Sequence, residues 1–190
     1  MSKKILASIM TFIIFATTLC KLPVFAAITY LDADGVTQNV DNATQITSEL
    51  TTWTGWVYAT GDVTIETRVE ISGDVHLILC DNCNLTCNLG IHVSEANSFT
   101  IYAQSTGENK GYLVANSTST TATGYENKAG IGGNDRESNG PITINGGKID
   151  ANAIETTVNL WGSGIGSGHL ANSSNITING GEITANSQTG

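Results

Sequence analysis

Basic side chains are scarce in this chain. Only eight of its 190 residues are Lys or Arg, and three of those, Lys3, Lys4 and Lys21, precede residue 27. The other five, Arg68, Lys110, Lys128, Arg136 and Lys148, are scattered. Phosphate recognition needs clustered Lys and Arg, so the composition argues against nucleic acid or an anionic membrane surface as a partner. Beyond residue 26 those five stand against 17 acidic residues, a formal net charge of −12. Aromatic residues make up 6% of the chain and charged residues 13%, while Gly, Asn, Thr and Ser abound. Such a composition suggests disorder, but regularly placed Ile and Val argue for a folded chain.

Long apolar runs are missing as well. The run from Ile5 to Leu19 is short and interrupted by Thr and Ser, which does not suit a spanning helix. Lys3 and Lys4 precede it, and Val24-Phe25-Ala26 follows as a small-x-Ala cleavage site. Residues 1–26 therefore read as a signal peptide, and the mature protein is expected to be secreted or displayed at the cell surface, without membrane insertion.

What is present is a repeat. ITINGG occurs at 142–147 and again at 176–181, and Gly-Ile-Gly at 130–132 and 164–166. Ile149 answers to Ile183, Ala151 to Ala185 and Asn152 to Asn186, all 34 residues apart. A fixed period of that length means stacked supersecondary units. Each unit holds three short strands, of which the clearest are ITIN (142–145), KIDA (148–151) and SGIG (163–166). Alternation points Ile142, Ile144, Ile149 and Ile165 inward and Thr143 and Asp150 outward.

Earlier units fill the same slots with FTIY, YLVA and AGIG, with VHLIL, NLTC and GIHV, and with VYA, DVTI and RVEI. First strands then begin at 57, 75, 99, 142 and 176, so strands are kept while turns vary. The predicted fold is all-β: a right-handed parallel β-helix (β-solenoid) with three short strands per rung and four to five rungs. Residues 57–190 form the repeats, truncated at the C-terminus. Residues 27–56 lack the repeat and read as an N-terminal cap, with Trp53 and Trp56 covering the open core of the first rung.

These residues resemble the right-handed parallel β-helix repeats of large secreted proteins from gut Firmicutes. The likeness rests on ITINGG followed by a short I-T-A strand and a GIG segment, and on ITYLDADG, GDVTI, DVHLIL and SFTIYAQ nearer the start. It covers essentially the whole mature chain, apart from Gly166-Ser167-Gly168, which departs from the commoner GIGGG pattern. Some related modules are labelled carbohydrate-binding, so the resemblance implies an extracellular role and a glycan as the likeliest class of ligand.

Candidate chemistry is thin. Cys80, Cys83 and Cys87 form C-x2-C-x3-C, a spacing at which thiolates hold zinc or an iron–sulfur cluster. A fourth ligand is not evident, His76 being nearest. Cys87 falls in the slot of Ala115, Ala151 and Ala185, which favours a small buried residue; Cys80 and Cys83 bracket a corner and are able to pair in an oxidising space. No metal and no cofactor is expected. Asp32-Ala33-Asp34-Gly35 echoes a calcium loop, but Ala43 stands at its twelfth place, so a plain turn is expected. His76, His92 and His169 do not converge, and no carboxylate pair or Ser/His/Asp set is readable, so catalysis is not expected.

The expected function is that of a non-catalytic module, adhesin-like or binding an extracellular polysaccharide or a host or bacterial glycan. Tyr125 and Trp161, in the insertions at 117–128 and 153–162, are the candidate contacts. The alternatives are a polysaccharide-active enzyme and a ligand-free structural spacer.

Overall fold

The computed structural model describes residues 27–118, 127–153 and 161–187. It opens with an antiparallel hairpin, β1 (Ile28–Leu31) and β2 (Thr37–Val40). Parallel pairing then begins with β3 (Thr44–Gln45), β4 (Thr52–Ala59), β5 (Asp62–Ile65) and β6 (Val69–Leu79). The next coil holds β7 (Asn84–Cys87) and β8 (Ile91–His92). After it come β9 (Ser98–Ala103), β10 (Tyr112–Asn116) and β11 (Ile131–Gly132), then β12 (Ile142–Ile144), β13 (Lys148–Ala153) and β14 (Ile165–Gly166), and finally β15 (Ile176–Ile178) and β16 (Glu182–Ser187). The fold is a parallel β-helix.

Second strands stack in the order β5, β7, β10, β13, β16. First and third strands form two further walls, joined because β6 runs around a corner: its Val69–Glu70 pairs with β8 and its Asp74–Leu79 with β9. Register is like on like. Ile142 stands opposite Ile176 and Ile144 opposite Ile178, while Leu113, Ile149 and Ile183 form one column and Ile91, Ile131 and Ile165 another. No strand of two to six residues buries a face alone, but stacking merges the inward columns into one continuous core. Each fully buried Ile or Leu contributes roughly 1.5–3 kcal/mol.

The corners follow from local chemistry. In the Asn-Gly-Gly turns only the second glycine is left-handed, Gly147 at φ 95° and Gly181 at φ 99°. The preceding Asn179 amide donates to Asn145 Oδ1 at 2.7 Å, one coil below. A second ladder runs from Asn186 to Asn152 (2.8 Å) and from Asn152 to Asn116 (3.0 Å). Stacked amides satisfy each other because each carries both a donor and an acceptor.

The segment before residue 57 departs from the expected cap. Pairing starts inside it: Thr44 stands opposite Val57, and Thr52–Trp53 occupies a third-strand slot opposite Glu70–Ile71. Trp53 is fully buried, donates its indole N–H to Leu50 O at 3.0 Å and packs beside Phe99. Trp56 points outward instead, because Val57, its neighbour, faces the core. It stacks on His76 (4.4 Å between ring centroids) and meets Tyr30 of the hairpin at 4.9 Å. Tyr30 also reaches Tyr102 at 4.7 Å. The β1–β2 hairpin thus covers the outer face of the first-strand wall, and Ile78, though its position is an outward one, is fully buried.

Gly132 tests the stacking directly. Its φ is +137°, and a Cβ there would collide with the carbonyl of Gly166 on the next coil. Gly132→Ala is expected to cost roughly 2–4 kcal/mol, read as a lowered urea midpoint. Gly107→Ala, at a position with open space around it, is expected to change stability by less than about 0.5 kcal/mol.

Candidate functional site

The third-strand wall carries a set of polar contacts between coils. Its strands are two residues long, and the chain turns back at once: Ala129 N donates to Gly133 O (3.0 Å) and Ser163 N to Ser167 O (3.3 Å). Residues just before a third strand are thereby brought next to residues just after it. Gly168 N donates to Glu137 O at 3.1 Å, and a side chain at residue 168 would strike the Asn134 carbonyl. Arg68, reaching over from an earlier coil, donates to the carbonyls of Leu89 (2.8 Å), Ala129 (3.1 Å) and Gly132 (3.2 Å) and so ties three coils together.

Two side-chain groups sit on this frame. In the first, His92 stands opposite Glu70 in register, and its Nδ1 is hydrogen-bonded to the Glu70 carboxylate. Its Nε2 lies 2.8 Å from Glu137, which arrives from the segment after β11. Only 14% of the imidazole is exposed. With a carboxylate on each nitrogen, the ring is committed to bridging coils rather than to taking a proton from a bound molecule.

The second group gathers residues one repeat apart. Asn127 and Trp161 are equivalents, as are Asp135 and His169, and Arg136 and Leu170. Asn127 Oδ1 accepts from Trp161 N at 3.1 Å, and Asn127 O accepts from His169 N at 3.0 Å. The Trp161 and His169 rings lie 5.7 Å apart. His169 Nδ1 is 3.5 Å from Asp135, which also accepts from Asn127 Nδ2 at 3.4 Å. Trp161 remains 50% exposed at the rim of a recess of about 350 Å³ lined by Gly162, Ser163, Gly164 and Ile165. An indole face, an imidazole and a carboxylate therefore share one surface, and Arg136 Nε lies 3.7 Å from that carboxylate.

Of the contacts expected from the sequence, Trp161 lies at this site and Tyr125 lies outside the described residues. His169 lies beside Trp161. His92, which converges with no other histidine, is held between two carboxylates. The 34-residue offset contains the pairings of the second group, but the residue types differ between repeats, so a search for similarity passes over them. Glu70 and His92 share the third place of RVEI and GIHV, a readable signal; Glu137, on a turn outside any strand slot, gave none.

Two of the five cations beyond residue 26 meet elsewhere. Lys110 and Lys148 both approach Glu182, at 3.4 and 3.9 Å, and Lys148 lies 4.9 Å from the centroid of the Tyr112 ring. Tyr112 donates to Asp150, and that bond pushes its phenol up to about 12. A recess of about 450 Å³ separates the hairpin turn from the Asn-Gly-Gly corners. In that turn Asp32 accepts from Gln38 Nε2 and from the backbone N–H of Val36 and of Asp34; the Gln38 bond first, then the backbone bonds, hold its carboxyl below the usual range.

Residues 142–169 and 176–190 match the family model described as Beta helix repeat. These stretches take in β12 to β16 and contain Trp161 and His169. Comparison with curated proteins and with solved structures gives no match.

Cys80, Cys83 and Cys87 are not gathered into one cluster. Cys87 faces the core in the column of Ile65 and Ala115, whereas Cys80 and Cys83 close the corner turn, Cys83 N donating to Cys80 O at 3.1 Å. All three are buried free thiols. Among the described residues no group of three or more His, Cys, Asp or Glu is placed to hold a metal ion. Burial pushes Cys80 and Cys83 up to about 11 and Cys87 to about 12, with the charges of Cys83 and Asp81 adding to the shift at Cys80.

Above pH 9 the unfolded chain releases thiol protons that the folded chain keeps, so stability is expected to fall as pH rises from about 9 toward 11–12. Urea midpoints across that range measure it, and Cys87→Ala should flatten the slope. At pH 8 an aromatic disulfide reagent should label these thiols at least tenfold faster in urea than in the folded protein.

Proposed function

We propose that this β-helix is a non-catalytic extracellular module that binds a glycan through the surface around Trp161. Export rests on the signal-like first 26 residues, and the extracellular setting agrees with the secreted repeats that the sequence resembles. The observation that carries the glycan reading is the half-exposed indole of Trp161, fixed by Asn127 and His169 beside a recess walled by glycine and serine. The negative face of an indole attracts the polarised C–H groups of a pyranose ring, while nearby amide, imidazole and carboxylate groups exchange hydrogen bonds with hydroxyls. Non-catalysis is supported by the engagement of both nitrogens of His92 with carboxylates.

Trp161→Ala is the decisive variant. On an array of plant, mucin and bacterial glycans, the secreted chain should bind a defined subset. The variant should lose about 2 kcal/mol, roughly 30-fold in affinity, with an unchanged melting temperature. Iodide should quench mainly Trp161 in the free protein, because Trp53 is buried and Trp56 half-buried, and ligand should protect it. A folded protein that binds nothing on the array would instead be a structural spacer.

A further inference from the structure

Arg136 and Leu170 are one repeat apart and share an unusual backbone. Their φ angles are 60° and 56°, left-handed values that ordinary L-residues adopt only at a cost. The one other described non-glycine residue with positive φ is Asn82, a type that tolerates this region. Glycine would serve the turn better at both places. The chain instead puts large side chains there and leaves them in solvent, Arg136 75% exposed and Leu170 72% exposed. Strain accepted in order to display a side chain points to a contact surface.

The charge of that surface is uneven. Asp135 is already engaged by His169 and Asn127. Arg136 Nε lies 3.7 Å from it, beyond hydrogen-bond distance, and the side chain is 75% exposed, so the guanidinium is accessible to a ligand. The exposed indole belongs to the same contact network: Arg136 N donates to His169 O at 2.8 Å, and the His169 ring adjoins Trp161.

We infer that the bound sugar is anionic, a ring bearing a carboxylate or a sulfate, with Arg136 as the residue that selects it. This rests on the glycan reading of the Trp161 surface. A guanidinium pairs with either group in a forked, charge-assisted geometry. Trp161 supplies stacking, which is indifferent to charge, and Leu170 adds apolar contact beside them. The net charge of −12 repels a long polyanion, so recognition is of one anionic ring within a short segment.

Three trisaccharides test this by calorimetric titration: one bearing glucuronate, its sulfated counterpart and its carboxyl-reduced neutral form. The expected result is that at least one anionic form binds about tenfold more tightly than the neutral one, the two anionic arms separating carboxylate from sulfate. Arg136→Gln should erase that ratio and leave neutral affinity and melting temperature unchanged, and Arg136→Lys should restore part of it. Arg136→Gly should lose the preference while raising the melting temperature; a fall would assign the guanidinium to holding the loop and overturn the proposal. Equal binding of all three sugars would overturn it too, leaving the glycan reading in place. Binding of none, by folded protein, would also overturn it, and the glycan reading would then stand or fall on the array alone.

Discussion

In-register stacking of like residues between coils is the constraint on which everything else in this molecule depends. A strand such as Ile142–Ile144 has three residues and no independent stability. Its backbone is satisfied by the strands above and below, and its isoleucines are covered by Phe99, Ile101, Ile176 and Ile178. The gain from burial is realised only if every coil keeps the same three inward columns. The sequence is therefore tightly held at those positions and loosely held between them, which is why spacings between first strands range widely while the pairing never slips from β9 to β15.

Stacking also governs where side chains have to be absent. Between β11 and β14 the walls approach so closely that Gly132 faces the Gly166 carbonyl with no room for a Cβ. The missing side chains allow the segments after the third strands to fold back on their own coils, and this places Asn127 beside Trp161 and Asp135 beside His169. The glycines of GIGG and GIGSG are thus the reason a polar surface assembles at that wall. The same surface is assembled from residues up to 67 positions apart, from Glu70 to Glu137, without any long-range loop closure beyond one coil at a time.

Much of this was readable from period and alternation alone. Ile144 and Ile149 face inward because every second residue does, and the 34-residue repeat aligned β12 with β15 and β13 with β16 before any coordinates. The misreadings share a cause. Alternation says which face a side chain takes but not what lies on that face, so Trp56 and the fully buried Ile78 could not be assigned to the wall beneath the hairpin. Thr44–Gln45 was missed because two polar residues carry no hydrophobic period. Glu137 and Asp135 were missed because turns have no slot pattern, and their partners are set by how the chain folds back.

Stacking at one strand spacing brings outward side chains close as well, and this bears on the charge. Like charges 4–5 Å apart repel by about 1 kcal/mol even in water, and more beside protein. The columns avoid it: Asp62 meets Asn84, Lys148 meets Glu182, Glu70 meets His92, and Glu66 meets Asn88. Residues 27–190, with a formal net charge of −12, can keep this fold only by separating their carboxylates with amides, hydroxyls and their few cations. Three of those cations have a local task in the pairing between coils. Arg68 ties carbonyls across three coils, and Lys110 and Lys148 converge on Glu182. Arg136 is the exception, since the residue stacked on it is Leu170 and the acid next to it is already engaged. In a molecule this short of positive charge, its guanidinium is held out on a left-handed turn, one backbone hydrogen bond from the histidine that adjoins Trp161.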